Sequence, residues 1–522
     1  MAPSQDGMSA AEQNMKETAQ VAPRFGEEPQ VVSDPKKSGA PVAQLIFEKS
    51  EVAVVSGPEV AAQARAASIS VVAHAPMLIS TPETQQDVVA ALGELGVHTV
   101  LMVGDATPVE QPGLSIIPDP GTKEALGDLT AVQFEERPAE HLLSDVAGLD
   151  LDHPVLLNVP GEELAPRDIT APKGFPMQST QDGGTAPPVL AGPETSVAAV
   201  ASARAFGAPV KVLDYADPRF NAESKAATVG LADKPVLALG DEFGTSAELK
   251  SRIEAAQTQA EQPGGGGLVF PGRHVVALYG HPSGPALGVM GEQPPAEAAT
   301  EVQRRVAQYQ EHTADPVVPA FEIIATVASG GPGADGDFSN ESKPEELAPY
   351  IDAITAAGGY AILDLQPGRA SFLDQAKRYE ELLKRPNVGL ALDPEWKLYG
   401  EQRPMQEVGH VEIAEVNEVS EWLAQLTRDN DLPQKPFVLH QFQLQMIRDR
   451  ENMQFHDELA TVLHVDGHGS EGDKLATWEA VKQDLDPRVF LAWKNFHDED
   501  TPMFDPQRTM GVAPRPWLVT YQ

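Results

Sequence analysis

Past residue 267 the chain alternates short apolar runs with stretches whose apolar positions fall three and four apart, the periods of strand and amphipathic helix. Eight runs read as strands: "LVFPGRHVVALYG" (268–280), "PVVPAFEIIATVA" (316–328), "GYAILDLQ" (359–366), "VGLALDPEW" (388–396), "PFVLHQF" (436–442), "LATVLHVDGHG" (459–469), "RVFLAWKNF" (488–496) and "PWLVTYQ" (516–522). Helical periods fill most gaps, as in "PAEAATEVQRRVAQYQEHT", "KPEELAPYIDAITAAGG" and "EVSEWLAQLTRDN", while the seventh connection shows none. Eight strands with intervening helices predict a (β/α)8 TIM barrel over 268–522.

Upstream the pattern differs. Residues 1–40 are polar without an apolar period and read as a disordered tether. From 41 to 262 short apolar runs alternate with Ala-rich amphipathic segments, the mark of α/β units. An internal repeat lies within: "VVSGPEVAAQARAASISVVAHAPMLI" (54–79) matches "VLAGPETSVAAVASARAFGAPVKVL" (189–213), and "HTVLMVGD" (98–105) matches "KPVLALGD" (234–241). The Gly57 to Gly104 and Gly192 to Gly240 spacings are nearly equal. Two Rossmann-like lobes are therefore predicted, 41–165 and 166–262. "EQPGGGG" (261–267) reads as a linker, assigned to 263–267, because four glycines suit neither helix nor strand.

The order "AVVSGPEVAAQARAASISVVAHAPMLIST…VVAALGELGVHTVLMVGDA" (53–106) resembles the cell-wall-binding repeat type 2 module of Gram-positive surface proteins. That module also runs strand, Ala-rich helix, "aPlLL", helix and "LG…vvvvGG". The likeness covers roughly 53–107 and, more weakly, 189–253. Gly104-Asp105 and Gly240-Asp241 stand where the family usually has two glycines, and its aromatic-rich opening is missing. The resemblance implies retention on an envelope polymer and an actinobacterial-type surface protein; a generic α/β pattern accounts for the same residues.

Composition narrows the function classes. At 522 residues the chain has room for two to four domains. A net charge of −39, from 77 acidic and 38 basic residues, disfavours nucleic acid as a partner. With no cysteine, disulfides, thiolate metal sites and thiol nucleophiles are excluded. No apolar run is long enough to span a membrane, and the opening residues lack a signal-peptide pattern. The chain then reads as cytosolic, or as secreted or surface-located with its signal removed, with a lipid-bearing cysteine preceding Met1 as a further expectation.

In a TIM barrel the chemistry sits at the C-terminal strand ends. Polar residues interrupt the apolar runs there: Tyr279 and His281, then Glu322, then Asp364 and Gln366, then Asp393, Glu395 and Trp396. His440 and Gln441 follow, then His464, Asp466 and His468, then Trp493 and Lys494, and finally Tyr521. Asp393 and Glu395 stand at i and i+2, which in an extended chain project to one side. Two adjacent carboxylates repel and push one pKa up, which suits a general acid beside an ionised partner. Glycoside hydrolysis needs such a pair with aromatic platforms for the sugar.

The candidate catalytic residues are Glu395, Asp393, Asp364 and Asp466. The candidate sugar-binding residues are Trp396, Gln441, His281, Tyr279, Glu322, His464, Trp493 and Tyr521. Asp-x-Glu here resembles the end of the acidic strand-four motif of chitinase-like barrels, but that family's longer run of aspartates is absent, so its substrate-assisted mechanism is not implied. His464, Asp466 and His468 alternate as metal ligands on a strand would, yet Gly467 and Gly469 turn the chain, so neither a metal nor another cofactor is expected. Two main readings stand: a glycoside hydrolase acting on envelope polysaccharide, or a surface protein that binds the same glycan without cleaving it. Other barrel chemistry, including a metal-dependent hydrolase, stays open.

Overall fold

The computed structural model describes residues 21–150, 152–162, 164–167, 174–178 and 185–522. The first 20 residues of the expected tether lie outside them. The chain divides into two compact units, the first ending at Gln257 and the second running Thr258–Gln522.

The second unit is a closed parallel barrel. Its strands are His274–Gly280, Val317–Ala328, Tyr360–Leu365, Val388–Leu392, Lys435–Gln441, Leu459–Val465, Phe490–Asn495 and Leu518–Tyr521. Each pairs in parallel with the next, and the first also pairs with the eighth. Side chains alternate between two cores, as the period of two requires. Val275, Ala277, Val318, Ala320, Ile362, Ala391, Val438, Val462 and Ala492 fill the barrel interior. Val276, Leu278, Phe321, Leu363, Leu390, Leu439, Leu463 and Trp493 face the surrounding helices. Both faces are apolar, which is why the strands read as continuous hydrophobic runs.

Helices Pro295–Gln310, Pro344–Ala356, Ile413–Asp429 and Glu471–Lys482 cover the outside. Their starts follow local chemistry: proline opens the first two, and the Ser470 side chain accepts from the Asp473 backbone N–H, with Asp473 reaching back in a capping box. The seventh connection does carry a helix, Pro506–Met510, too short to show a period.

Two boundaries differ from expectation. The first strand begins at His274 rather than 268, because Val269 and Phe270 turn inward and join the interior cluster at the barrel's N-terminal end. The glycine run lies within the second unit and is tied into it: Gly264, Gly265 and Gly266 have positive φ, and the Arg273 guanidinium donates to the Pro263 and Gly265 carbonyls. Glycine is required there by backbone conformation.

In the first unit both halves of the repeat fold alike. Val52–Ser56 lies between Met77–Ile79 and Thr99–Val103, and Val189–Ala191 lies between Val210–Val212 and Val236–Leu239. All pairings are parallel. The Ala-rich helices Val60–Ala73 and Val197–Phe206 follow the central strand in each copy and pack together, alanine permitting the close approach. A fourth strand completes each sheet from a different source. Ser115–Pro118 flanks Thr99–Val103, whereas Pro29–Val32 flanks Val236–Leu239. The segment 29–32 is thus a strand and not tether. No helix among the described residues is long and apolar enough to cross a membrane.

Candidate functional site

Strand parity decides which polar residues reach the barrel axis. Tyr279, Glu322, Asp364, His440, His464 and Lys494 continue the alternation of the interior alanines and valines, and all are buried at the C-terminal end. His440 joins two of the carboxylates: Nδ1–H donates to Asp466 Oδ2 (2.6 Å) and Nε2–H to Glu322 Oε1 (2.7 Å). Carboxylates only accept, so both nitrogens carry protons. Burial would lower the His440 pKa, but Asp466, Glu322 and Asp364 outweigh it and raise it well above the usual value.

The carboxyls sort into two groups. Burial of Asp466 is outweighed by His440 and by Lys494 at 3.7 Å, so it is held below the ordinary carboxylate range. For Glu322 burial is likewise outweighed by His464 at 3.6 Å and His440 at 2.7 Å, of which the hydrogen-bonded His440 carries the charge. The other three are pushed up. Burial, with Glu322 adding, raises Asp364 to about 6 against the opposing pull of His440, the Tyr279 hydrogen bond and Lys494. Burial, then Asp364, Glu395 and Asp466, raise Asp393 well above its usual value against His440. Glu395 is raised by burial and Asp466 against Lys494, His440 and His468.

Tyr279 OH donates to Asp364 Oδ2 (2.8 Å) and accepts from Gln366 Nε2 (3.3 Å). Lys494 Nζ sits 3.8 Å from the Tyr279 ring centroid, a cation–π contact inside the barrel. His464 is neutral, its pKa lowered by burial, with Nε2 2.9 Å from Thr520 Oγ1.

Above this layer opens a cleft of about 460 Å³. Asp393, Glu395, Asp466, Lys494 and Tyr279 line it, with Trp396, Phe442, Phe496, Met405 and His468 among its walls. Asp393 and Glu395 reach it by a route other than the expected extended chain. The strand stops at Leu392, Pro394–Trp396 forms a 3-10 turn, and Asp393 caps that turn by accepting from the Glu395 backbone N–H (3.2 Å). Pro394 has no N–H to offer a ladder and stands at the first turn position, where none is needed.

Of the twelve residues singled out from the sequence, Glu395, Asp393, Asp466, Trp396 and Tyr279 line the cleft, while Asp364, Glu322 and His464 are buried at the same end of the barrel. Four lie elsewhere. Gln441 points outward, its amide donating to the carbonyls of Gln443 and Leu444 and accepting from Arg450. His281 is held by Ser283 and Ser342, each at 2.8 Å. Trp493 packs between Trp478 and Phe504 on the helix side. Tyr521 bonds Tyr309 at 2.7 Å beneath the Arg305 guanidinium. His440, Lys494, Phe442 and Phe496 take the places the sequence reading gave to these four.

No family model and no curated protein matches the chain. Among solved structures, Cwp6 from Clostridium difficile aligns with a TM-score of 0.31 and 11% identity, over 65% of this chain and 62% of that one. The chain thus spans less than two thirds of that relative. A crystal form of a xylanase-A-amylase inhibitor protein, XAIP-III, aligns with a TM-score of 0.29 and 10% identity, over 48% of this chain and 92% of that one. At such scores neither likeness bears on function.

Proposed function

We propose that the barrel mouth is a carbohydrate site with acid–base capacity, acting on an envelope polysaccharide, and that the N-terminal lobes hold the protein on that polymer. The observation that carries this reading is a single cleft lined by carboxyls of opposite protonation tendency, Glu395 pushed up and Asp466 held down, with Trp396, Phe442 and Phe496 around them. Groups whose environments drive their pKa values apart supply acid and ionised partner at one pH. Glu395 is the donor to a leaving oxygen, kept protonated by burial and by the Asp466 charge; Asp393, pushed up further, stays protonated beside it, and Asp466 is the ionised partner. Asp364 and Tyr279 form the hydrogen-bonded floor. This reading has a polysaccharide and no nucleic acid as partner, and it has the lobes retaining the protein at the cell surface.

One observation favours binding without cleavage. Asp466 is already neutralised by His440 at 2.6 Å and Lys494 at 3.7 Å, which weakens it as a base or nucleophile. Incubation with isolated envelope glycans separates the two readings. For a hydrolase, the unsubstituted chain releases reducing sugar and Glu395→Gln abolishes release while glycan binding persists. If the unsubstituted chain binds and releases nothing, the site is a lectin-like mouth; if it neither binds nor cleaves, the carbohydrate reading fails.

A further inference from the structure

Among the described residues, four buried carboxylate and imidazole atoms at the barrel end find no hydrogen-bond partner: Asp364 Oδ1, which stands 3.8 Å from His440 Nε2, and Glu322 Oε2, His464 Nδ1 and Asp466 Oδ1, of which the two oxygens both lie near the imidazole nitrogen. His464 Nδ1 lies 3.6 Å from Glu322 Oε2 and 3.8 Å from Asp466 Oδ1, beyond hydrogen-bond length in both cases. An unpaired polar atom in an apolar interior is costly, so two oxygens that both face one imidazole nitrogen are expected to share an occupant with it.

The surroundings are built around these atoms. His440 grips the opposite oxygens, Glu322 Oε1 and Asp466 Oδ2, and so turns Oε2 and Oδ1 toward His464. In the tautomer whose Nε2–H donates to Thr520 Oγ1, His464 presents a bare Nδ1 lone pair to the same point. A ligating histidine fixed through its second nitrogen, and ligating carboxylates fixed through their second oxygens, are the outer-sphere contacts that metal sites use. Both nitrogens of His440 are engaged, so it serves as the clamp and not as a ligand.

The dimensions fit an ion. Ligands about 2.1 Å from a tetrahedral centre stand roughly 3.4 Å apart, a few tenths less than the separations of His464 Nδ1 from the two oxygens. One imidazole nitrogen and two carboxylate oxygens form a mixed donor set suited to zinc and its first-row neighbours and unlike the all-oxygen sets of calcium and magnesium.

We propose that Glu322 Oε2, His464 Nδ1 and Asp466 Oδ1 hold one divalent transition-metal ion of the zinc class, with its fourth position directed to the cleft that Asp466 lines. This goes beyond the acid–base reading. With the ion bound, Asp466 acts on a substrate through the open position and not directly.

The test reads metal uptake and not sugar chemistry, so the two proposals fail separately. The full chain is stripped with chelator, dialysed and titrated calorimetrically with zinc, magnesium and calcium chlorides. One equivalent of zinc should bind, with magnesium and calcium much weaker. Glu322→Gln and His464→Gln should each weaken zinc by roughly 100-fold, while His312→Asn and an Asp335→Asn, Asp337→Asn double variant should not. In case a buried substitution unfolds the barrel, cobalt(II) is added to the unsubstituted chain, where visible absorption bands of a low-coordinate nitrogen–oxygen site are expected. Absence of stoichiometric zinc and of those bands overturns the site and leaves water as the shared occupant. Uptake that survives both ligand substitutions, or that is lost with the Asp335 and Asp337 pair, overturns it as well.

Discussion

Asp364 shows how one buried carboxyl couples protonation to folding. Its folded pKa of about 6 lies above the ordinary 3.8, mainly because of burial. The unfolded chain therefore releases this proton first. The stabilising contribution is full below pH 4 and is lost as the pH rises through 6. Asp364→Asn, which can still accept from Tyr279 OH, should leave thermal stability at pH 4 nearly unchanged. At pH 8 it should raise stability by up to about 3 kcal/mol, at 1.36 kcal/mol per pKa unit. Thermal unfolding in chelator at the two pH values measures this, and equal shifts at both would exclude a raised pKa. The same residue was legible in the sequence because its carboxyl interrupts the apolar run "YAILDLQ" near a strand end, although a cap of the following loop explained it almost as well. Trp493, Gln441 and Tyr521 misled because aromatic and amide groups suit a sugar site by type. Parity contradicts them: Ala492 is interior, which puts Trp493 outside and Lys494 inside, and Val438 does the same for Gln441 and His440.

At the scale of elements, the turn that carries Glu395 depends on a residue fourteen positions downstream. Gly409 donates its N–H to the Glu395 carbonyl (2.7 Å). A Cβ there would lie under 3 Å from the carbonyl oxygens of Pro394, Glu395 and Lys397. Gly409→Ala should displace the turn and reduce sugar release or binding by up to roughly 100-fold. Unfolding temperature should change little, because the core strands are untouched; an unaltered glycan affinity and rate would show that the turn is held by other contacts. A second element dependence lies in the first unit. Pro29–Val32 covers the edge of Val236–Leu239, so a chain starting at residue 34 exposes that edge and should unfold at lower temperature and aggregate more readily. Four residues are too few to show a period of two, which is why this strand was hidden within a polar stretch. The eight barrel strands were readable for the opposite reason, being buried on both faces.

For the whole molecule, the clustering of buried side chains predicts independent folding. The second unit holds its own two apolar clusters, one inside the barrel and one beneath the helices, and every residue of the cleft and of the proposed metal site. Thr258–Gln522 expressed alone should therefore melt in one cooperative transition and bind glycan with unchanged affinity. A net charge of −39 adds self-repulsion, so salt well above 0.1 M, where the Debye length is about 10 Å, should raise the melting temperature of the full chain. The fragment also tests the division of labour. If the lobes hold the envelope polymer, sedimentation with isolated cell walls should retain the full chain and lose the fragment, while both release or bind soluble glycan equally. Retention of the fragment to the same extent would assign attachment to the barrel mouth itself. The carboxyl-rich turn "DPEW" would then serve as an anchor, and the lobes would need another role.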